Sequence, residues 1–257
     1  MQSRIATVYG MEKIFGIVRM QIAPGATETF RERALACIGA ASKDLTGTAA
    51  YEWFLAPDGN EALVIEVYDD VEAVALHGRM VGGTVLSVVE VAKFNITFAG
   101  DVPDPIIERM RSRLGRAELF GSRFQGRLTH EAAGSKGRDA GSMIFAIARF
   151  SIEPGKQEEF NALAREAFSL VEKHEPDTLA YEWFLNAAGT ECLTIDVYRN
   201  PAALMKHMAN AGPAMARVLR IVKSTTQIYG AVPPEVRTKL RPELGVTYGG
   251  AQLGGIM

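Results

Sequence analysis

The chain is poor in the residues that build metal and disulfide frameworks. Its 257 residues hold two cysteines and four histidines. Cys37 and Cys192 fall on different kinds of segment, so the expectation is two buried thiols in a reducing cytosol. No H-x-x-x-H or C-x-x-C spacing occurs, which argues against a protein-ligated zinc site. A strong excess of either acid or base is missing too. A formal net charge of −2, with no basic stripe, excludes a nucleic-acid binder of the usual electrostatic kind. No apolar run approaches the ~20 residues of a membrane span. The opening stretch MQSRIATVYG has no apolar signal core, so a cytoplasmic protein without a membrane partner is expected. There is no G-x-G-x-x-G between a strand and a helix, no P-loop and no G-x-S-x-G elbow. No cofactor is therefore expected.

What the chain has is itself, twice. Residues 51–55 read YEWFL, and residues 181–185 read YEWFL again, an offset of 130. At that offset IFGIVRMQIAPG (14–25) meets IFAIARFSIEPG (144–155), and ALVIEVYDD (62–70) meets CLTIDVYRN (192–200). Roughly a third of the aligned positions are identical, far beyond chance, and such self-similarity marks a repeat. The ends rhyme as well: FGSRFQGRL (120–128) resembles YGGAQLGGI (248–256). This divides the chain into a first repeat with a glycine-rich tail (1–128), a linker rich in Gly, Ser and charge (129–142), and a second repeat with its own tail (143–257).

One repeat reads as β-α-β-β-α-β. Residues 14–22 are rich in β formers and run into Pro24-Gly25, a turn signal. Phe30, Ala34, Cys37, Ile38 and Ala41 recur at helical spacing. Tyr51–Leu55 and Leu63–Tyr68 flank Pro57-Asp58-Gly59 as a β-hairpin. Helical stretches are expected at 70–81 and 84–92, then a strand at 93–99. This order predicts an α+β protein made of two ferredoxin-like units. Each sheet must cover its bare face, so the two should pack sheet to sheet as one barrel inside a single chain, with the helices outside. That gives a pseudo-dimeric monomer or a homo-oligomer of the fused chain.

Alternation along the third strand separates Leu63, Ile65 and Val67 from Val64, Glu66 and Tyr68. The aliphatic side suits the helices. The polar side would then line a cavity between the sheets, together with Thr194, Asp196 and Tyr198. Arg19 on the first strand is a candidate partner for Glu66, and Arg149 for Asp196. Such a pair would either fix strand register or present a carboxylate for ligand contact and proton transfer. His77 and His207, in the second helix of each repeat, are packing residues or proton-transfer groups. Trp53 and Trp183 are core residues or a flat wall for an aromatic ligand.

The runs ALVIEVYDDVEAVALH (62–77) and CLTIDVYRNPAALMKH (192–207) resemble the central signature of the antibiotic biosynthesis monooxygenase family. That signature is a strand with Glu and Tyr or Trp, an acidic or Asn turn, and a helix reaching a His. The resemblance covers about a hundred residues per repeat. It implies the dimeric α/β-barrel superfamily, whose members mostly pair as separate units and are fused here. It also implies an aromatic substrate held between a sheet and its helices. The family's activities include cofactor-independent oxygenation of phenols or quinols, and haem degradation. The haem-degrading branch carries an Asn where Val18 and Ala148 stand, and a Trp where Tyr68 and Tyr198 stand. The resemblance therefore implies a quinol-type oxygenase, with Arg19, Glu66, Tyr68, His77, Arg149, Asp196, Tyr198 and His207 as catalytic candidates and Trp53 and Trp183 as substrate walls. A binding or stress-response protein without chemistry is the alternative.

Overall fold

The computed structural model describes residues 13–43, 46–128, 143–240 and 245–256. The expected linker at 129–142 lies outside the described residues. The first repeat runs β1 (Ile14–Ile22), α1 (Thr27–Ala41), β2 (Thr48–Leu55), β3 (Glu61–Tyr68), α2 (Val71–Val89) and β4 (Ala92–Ala99). It continues into α3 (Asp104–Leu114), β5 (Ala117–Phe120) and β6 (Ser122–Leu128). The second repeat has β7 (Ile144–Ile152), α4 (Gln157–His174), β8 (Thr178–Leu185), β9 (Glu191–Tyr198), α5 (Pro201–Asn210), α6 (Gly212–Val218) and β10 (Val222–Gly230). It ends with α7 (Pro234–Lys239), β11 (Val246–Tyr248) and β12 (Ala251–Ile256).

Two six-stranded sheets result, in the orders β12-β2-β3-β1-β4-β5 and β11-β10-β7-β9-β8-β6. The central four strands of each are the ferredoxin-like arrangement. The sheets face one another but stay separate and do not close into a barrel. The tails join them. β5 extends the first repeat's own sheet, pairing in parallel with β4. The next strand, β6, crosses to the second sheet and pairs with β8. Reciprocally, β11 pairs with β10 and β12 crosses back to β2. The crossing point Gly249-Gly250 demands glycine. A Cβ on Gly249 would strike the Tyr229 ring, and one on Gly250 the Leu55 carbonyl.

Between the sheets lies a dry core. Ile17, Leu63, Ile65 and Val67 of one sheet pack with Ile147, Leu193, Ile195 and Val197 of the other. Edge-to-face rings cross the gap, Phe15 to Phe184 at 5.8 Å and Phe54 to Phe145 at 5.4 Å. This reverses the assignment made from alternation: the aliphatic side of β3 faces the other sheet, and the polar side faces the helices. The physical reason is shape. Two sheets meet over their whole area, which only aliphatic and aromatic side chains fill without gaps. Helices touch a sheet along ridges and leave space beneath.

The helices differ between repeats. α2 is one helix of 19 residues, where two stretches are expected. The second repeat does divide, into α5 and α6, and there Pro213, with no N–H to give, stands where Gly83 stands in the first. Among the described residues no helix is long and apolar enough to cross a membrane.

Candidate functional site

Each repeat holds a cavity between its sheet and its own helices. That of the first repeat is about 220 Å³ and is lined by Tyr51, Trp53, Glu66, Tyr68 and His77 among apolar residues. That of the second is about 250 Å³ and is lined by the equivalents Tyr181, Trp183, Asp196, Tyr198 and His207.

Local structure delivers these groups. The turn before the second helix is a cap: Asp70 accepts a hydrogen bond from the Ala73 N–H at 2.8 Å, and Asn200 does the same for Ala203 at 3.0 Å. Both residue types are favoured N-caps. Starting the helix there puts His77 and His207 two turns on, over β2 and β3 or their equivalents. His77 stacks edge-on against Tyr51 at 4.6 Å and Tyr68 at 5.4 Å. His207 lies 5.3 Å from Tyr181 and 5.2 Å from Tyr198. Trp53 meets Tyr51 at 5.7 Å, and Trp183 meets Tyr181 at 5.6 Å.

The carboxylates stand on the cavity floor. Glu66 faces Gly16 across β1 and β3, and a Cβ at Gly16 would come within 2.5 Å of its Oε2. In the second repeat the shorter Asp196 faces Ala146. One methyl group has moved across the strand pair and the fit is kept. Burial raises Glu66 to about 7, against a smaller opposing effect of the Tyr68 hydroxyl. Burial also raises Asp196 to about 7, against the His207 charge and the Tyr198 hydroxyl. Tyr198 donates to Asp196 Oδ2 at 3.2 Å, and Asp196 Oδ1 is buried with no hydrogen-bond partner. His77 is pushed down by burial to about 4, so it is neutral at pH 7. Its Nε2 lies 3.9 Å from Glu66 Oε1.

The two arginines are elsewhere. Arg19 is in register with Leu63, not Glu66, and its Nε donates to Gln227 of the other sheet at 2.8 Å. Arg149 is in register with Leu193. It pairs with Glu118 at 2.9 Å and Glu191 at 3.5 Å, and lies over the Phe120 ring. Both arginines serve the seam between the sheets, so the Arg19–Glu66 and Arg149–Asp196 pairs do not form.

Sequence reasoning missed Glu175. It follows α4, is 1% exposed, and its Oε2 lies 2.9 Å from His207 Nδ1. Thr178 donates to the same oxygen at 2.8 Å, and Asn210 donates to Oε1 at 2.7 Å. Burial pushes this carboxyl up, but the bonds from His207, Asn210 and Thr178, with the His207 charge, outweigh it and leave it below the usual range. The duplication hid this residue, because the matching position of the first repeat is Leu45. Tyr51 and Tyr181 were within reach, since each shares a strand face with the Trp two residues on. Among the described residues no group of His, Cys, Asp and Glu converges as metal ligands would.

The profile of the family described as antibiotic biosynthesis monooxygenase matches residues 14–80 and 143–217, more than half of the chain. Among curated proteins no sequence relative is found. Two solved structures share the fold over most of their length. One is a candidate monooxygenase from Fusobacterium nucleatum subsp. nucleatum, with a TM-score of 0.61 and 10% identity, covering 85% of this chain and 91% of that one. The other is a candidate monooxygenase from Lactobacillus acidophilus NCFM, with a TM-score of 0.55 and 16% identity, covering 84% and 91%. At these identities the likeness is one of fold.

Proposed function

The chain belongs to the antibiotic biosynthesis monooxygenase family, and from that premise we propose that it is a cofactor-independent monooxygenase of small phenols or quinols, working in the space between sheet and helices. The observation that carries this reading is a carboxyl raised to about 7 inside an aromatic-walled cavity, beside a histidine, in each repeat. A group whose pKa lies near the working pH is the efficient proton acceptor. A mostly apolar lining limits the water that competes with a bound phenol. Glu66 or His77, and their equivalents Asp196 or His207, would take the phenolic proton. Trp53 and Trp183, with the paired tyrosines, would hold the ring flat.

The electron-rich anion then reduces oxygen itself. A ring carbon bonds to O2, the hydroperoxide loses water, and a carbonyl remains. A phenol and one O2 give a quinone and one water, so no external reductant is needed. Size sets the substrate class. A cavity of about 150 Å³ accepts benzene, so spaces of about 220 and 250 Å³ suit one or two fused rings.

The test is oxygen uptake by the pure protein with one- and two-ring hydroquinones, with products identified by mass spectrometry. Expected is one O2 consumed per hydroxyquinone formed with no hydrogen peroxide released, and at least a tenfold loss in the double variant E66Q/D196N. Background uptake throughout the panel would overturn the proposal. Thermal stabilisation by the same compounds without turnover would instead mark a binding protein.

A further inference from the structure

The two cavities descend from one, yet their floors and their histidines have parted. In the first repeat the strand residues beneath the helices include Val64, Phe94 and Ile96. The same positions in the second repeat are Thr194, Ser224 and Thr226. Three hydroxyls have replaced three apolar side chains on one surface. Above it, among the described residues, His77 has no carboxylate at hydrogen-bond distance, whereas His207 is held by Glu175. An ionised carboxylate only accepts, so His207 must donate from Nδ1. That fixes the ring and leaves the lone pair of neutral His207 on Nε2. Asp196, Tyr198 and Tyr181 are the other titratable groups facing this ring.

We infer that the repeats have divided the work: the second repeat's cavity binds a polyhydroxylated one- or two-ring aromatic and is the site of oxygenation, with Glu175 positioning His207 as its base. The inference rests on the oxygenase reading and names its half and its substrate class. The buried Thr194, the half-buried Ser224 and Thr226, and the unpartnered Asp196 Oδ1 match a ligand with several hydroxyl groups, because its hydroxyls lose their bonds to water on entering. The first cavity, floored by Val64, Phe94 and Ile96, lacks these three hydroxyls.

With naphthohydroquinone as probe the step balances. His207 Nε2 takes one hydroxyl proton, a ring carbon bonds to O2, and that carbon loses its hydrogen as water departs. Naphthohydroquinone and O2 give hydroxynaphthoquinone and water. Simple autoxidation would give naphthoquinone and hydrogen peroxide instead, so the products separate the two.

The fold supplies a plug for each cavity. Gly82 lines the first and Gly212 the second, and a Cβ added at either meets nothing within 4 Å. G82F and G212F are therefore the variants chosen to fill one cavity each. Expected is that G212F costs at least tenfold more hydroxynaphthoquinone formation than G82F. E175L, carrying the residue that the first repeat has at this position, should lower kcat at least tenfold with KM within threefold. A merely structural loss would move both, and circular dichroism checks the fold.

If G82F loses as much as G212F or more, or if E175L leaves kcat unchanged, the division of labour is overturned while the oxygenase reading stands. If the wild-type protein forms no hydroxynaphthoquinone, the oxygenase reading fails. Calorimetric titration of both plugged variants under argon then decides the division. Binding at least tenfold tighter in G82F than in G212F upholds a hydroxyl-selective second cavity, and equal affinities overturn it.

Discussion

At Glu66 the cavity stores its chemistry and its cost in one carboxyl. The folded group titrates near 7 rather than at its ordinary 4.5. Between those values the folded chain holds a proton that the unfolded chain has lost, so stability falls as pH rises through that window. Above pH 7 the full cost remains, on the order of 3 kcal/mol. Below 4.5 it vanishes. His77, lowered to about 4, acts in the opposite sense, losing stability as pH falls from 6.5 toward 4. Gln at position 66 keeps the shape without the charge. E66Q is therefore expected to be more stable than wild type by about 2–3 kcal/mol at pH 8 and close to it at pH 4, read from urea unfolding at both pH values. An equal gain at both would show that the cost is not electrostatic. At this scale much was legible in the sequence. Trp53, Glu66, Tyr68 and His77, with their counterparts, do meet in one cavity per repeat. The partner of Glu66 was not, because it is Gly16, which has no side chain to signal a contact. Arg19 lies an odd number of residues from Gly16 on the same strand, and so points the other way.

Among the elements the tail strands depart furthest from expectation. α1 and α4 follow their apolar spacing, and the hairpins follow their turns. The tails do not read as strands at all, since glycine disfavours strand formation and has no side chain to pack. Their glycines are explained by what lies across them. On β6, Arg123 donates twice to Glu182 at 2.7 Å, and a Cβ on Gly126 would strike that guanidinium. On β12, Gln252 bonds Glu52, and a Cβ on Gly255 would strike the Glu52 carboxylate. Glu52 and Glu182 are each 1% exposed, so each buried glutamate of the YEWFL strands is met by a long polar side chain from an incoming tail. Removing one member of a buried ion pair costs about 3–5 kcal/mol. R123A is therefore expected to destabilise by about that much, and Q252A by less, because Gln252 brings no charge. Chemical denaturation of the two variants checks the order, and a larger loss in Q252A would contradict it.

The whole molecule joins two sheets, each of which borrows one outer strand from the other repeat. Its duplication, its α+β class and its sheet-to-sheet packing were legible because a period of 130 residues and repeated alternation survive divergence. Which face of each sheet turned inward was not, because alternation defines two sides without saying which meets a sheet and which meets helices. The helices α3 and α7 also went unread, having no partner pattern in the core of the repeat. Deleting residues 251–257 would strip β12 from the first sheet and leave β2 with open N–H and C=O groups, the kind of edge that recruits other chains. The truncated protein is expected to self-associate more than the full chain at equal concentration, measured by light scattering after size exclusion. An unchanged mass would show that β2 protects itself. The reciprocal arms have a last consequence. Since each half finishes the other's architecture, evolution can retire the chemistry of one chamber without being able to discard its walls. A spent half survives as scaffolding, and its twin is free to specialise.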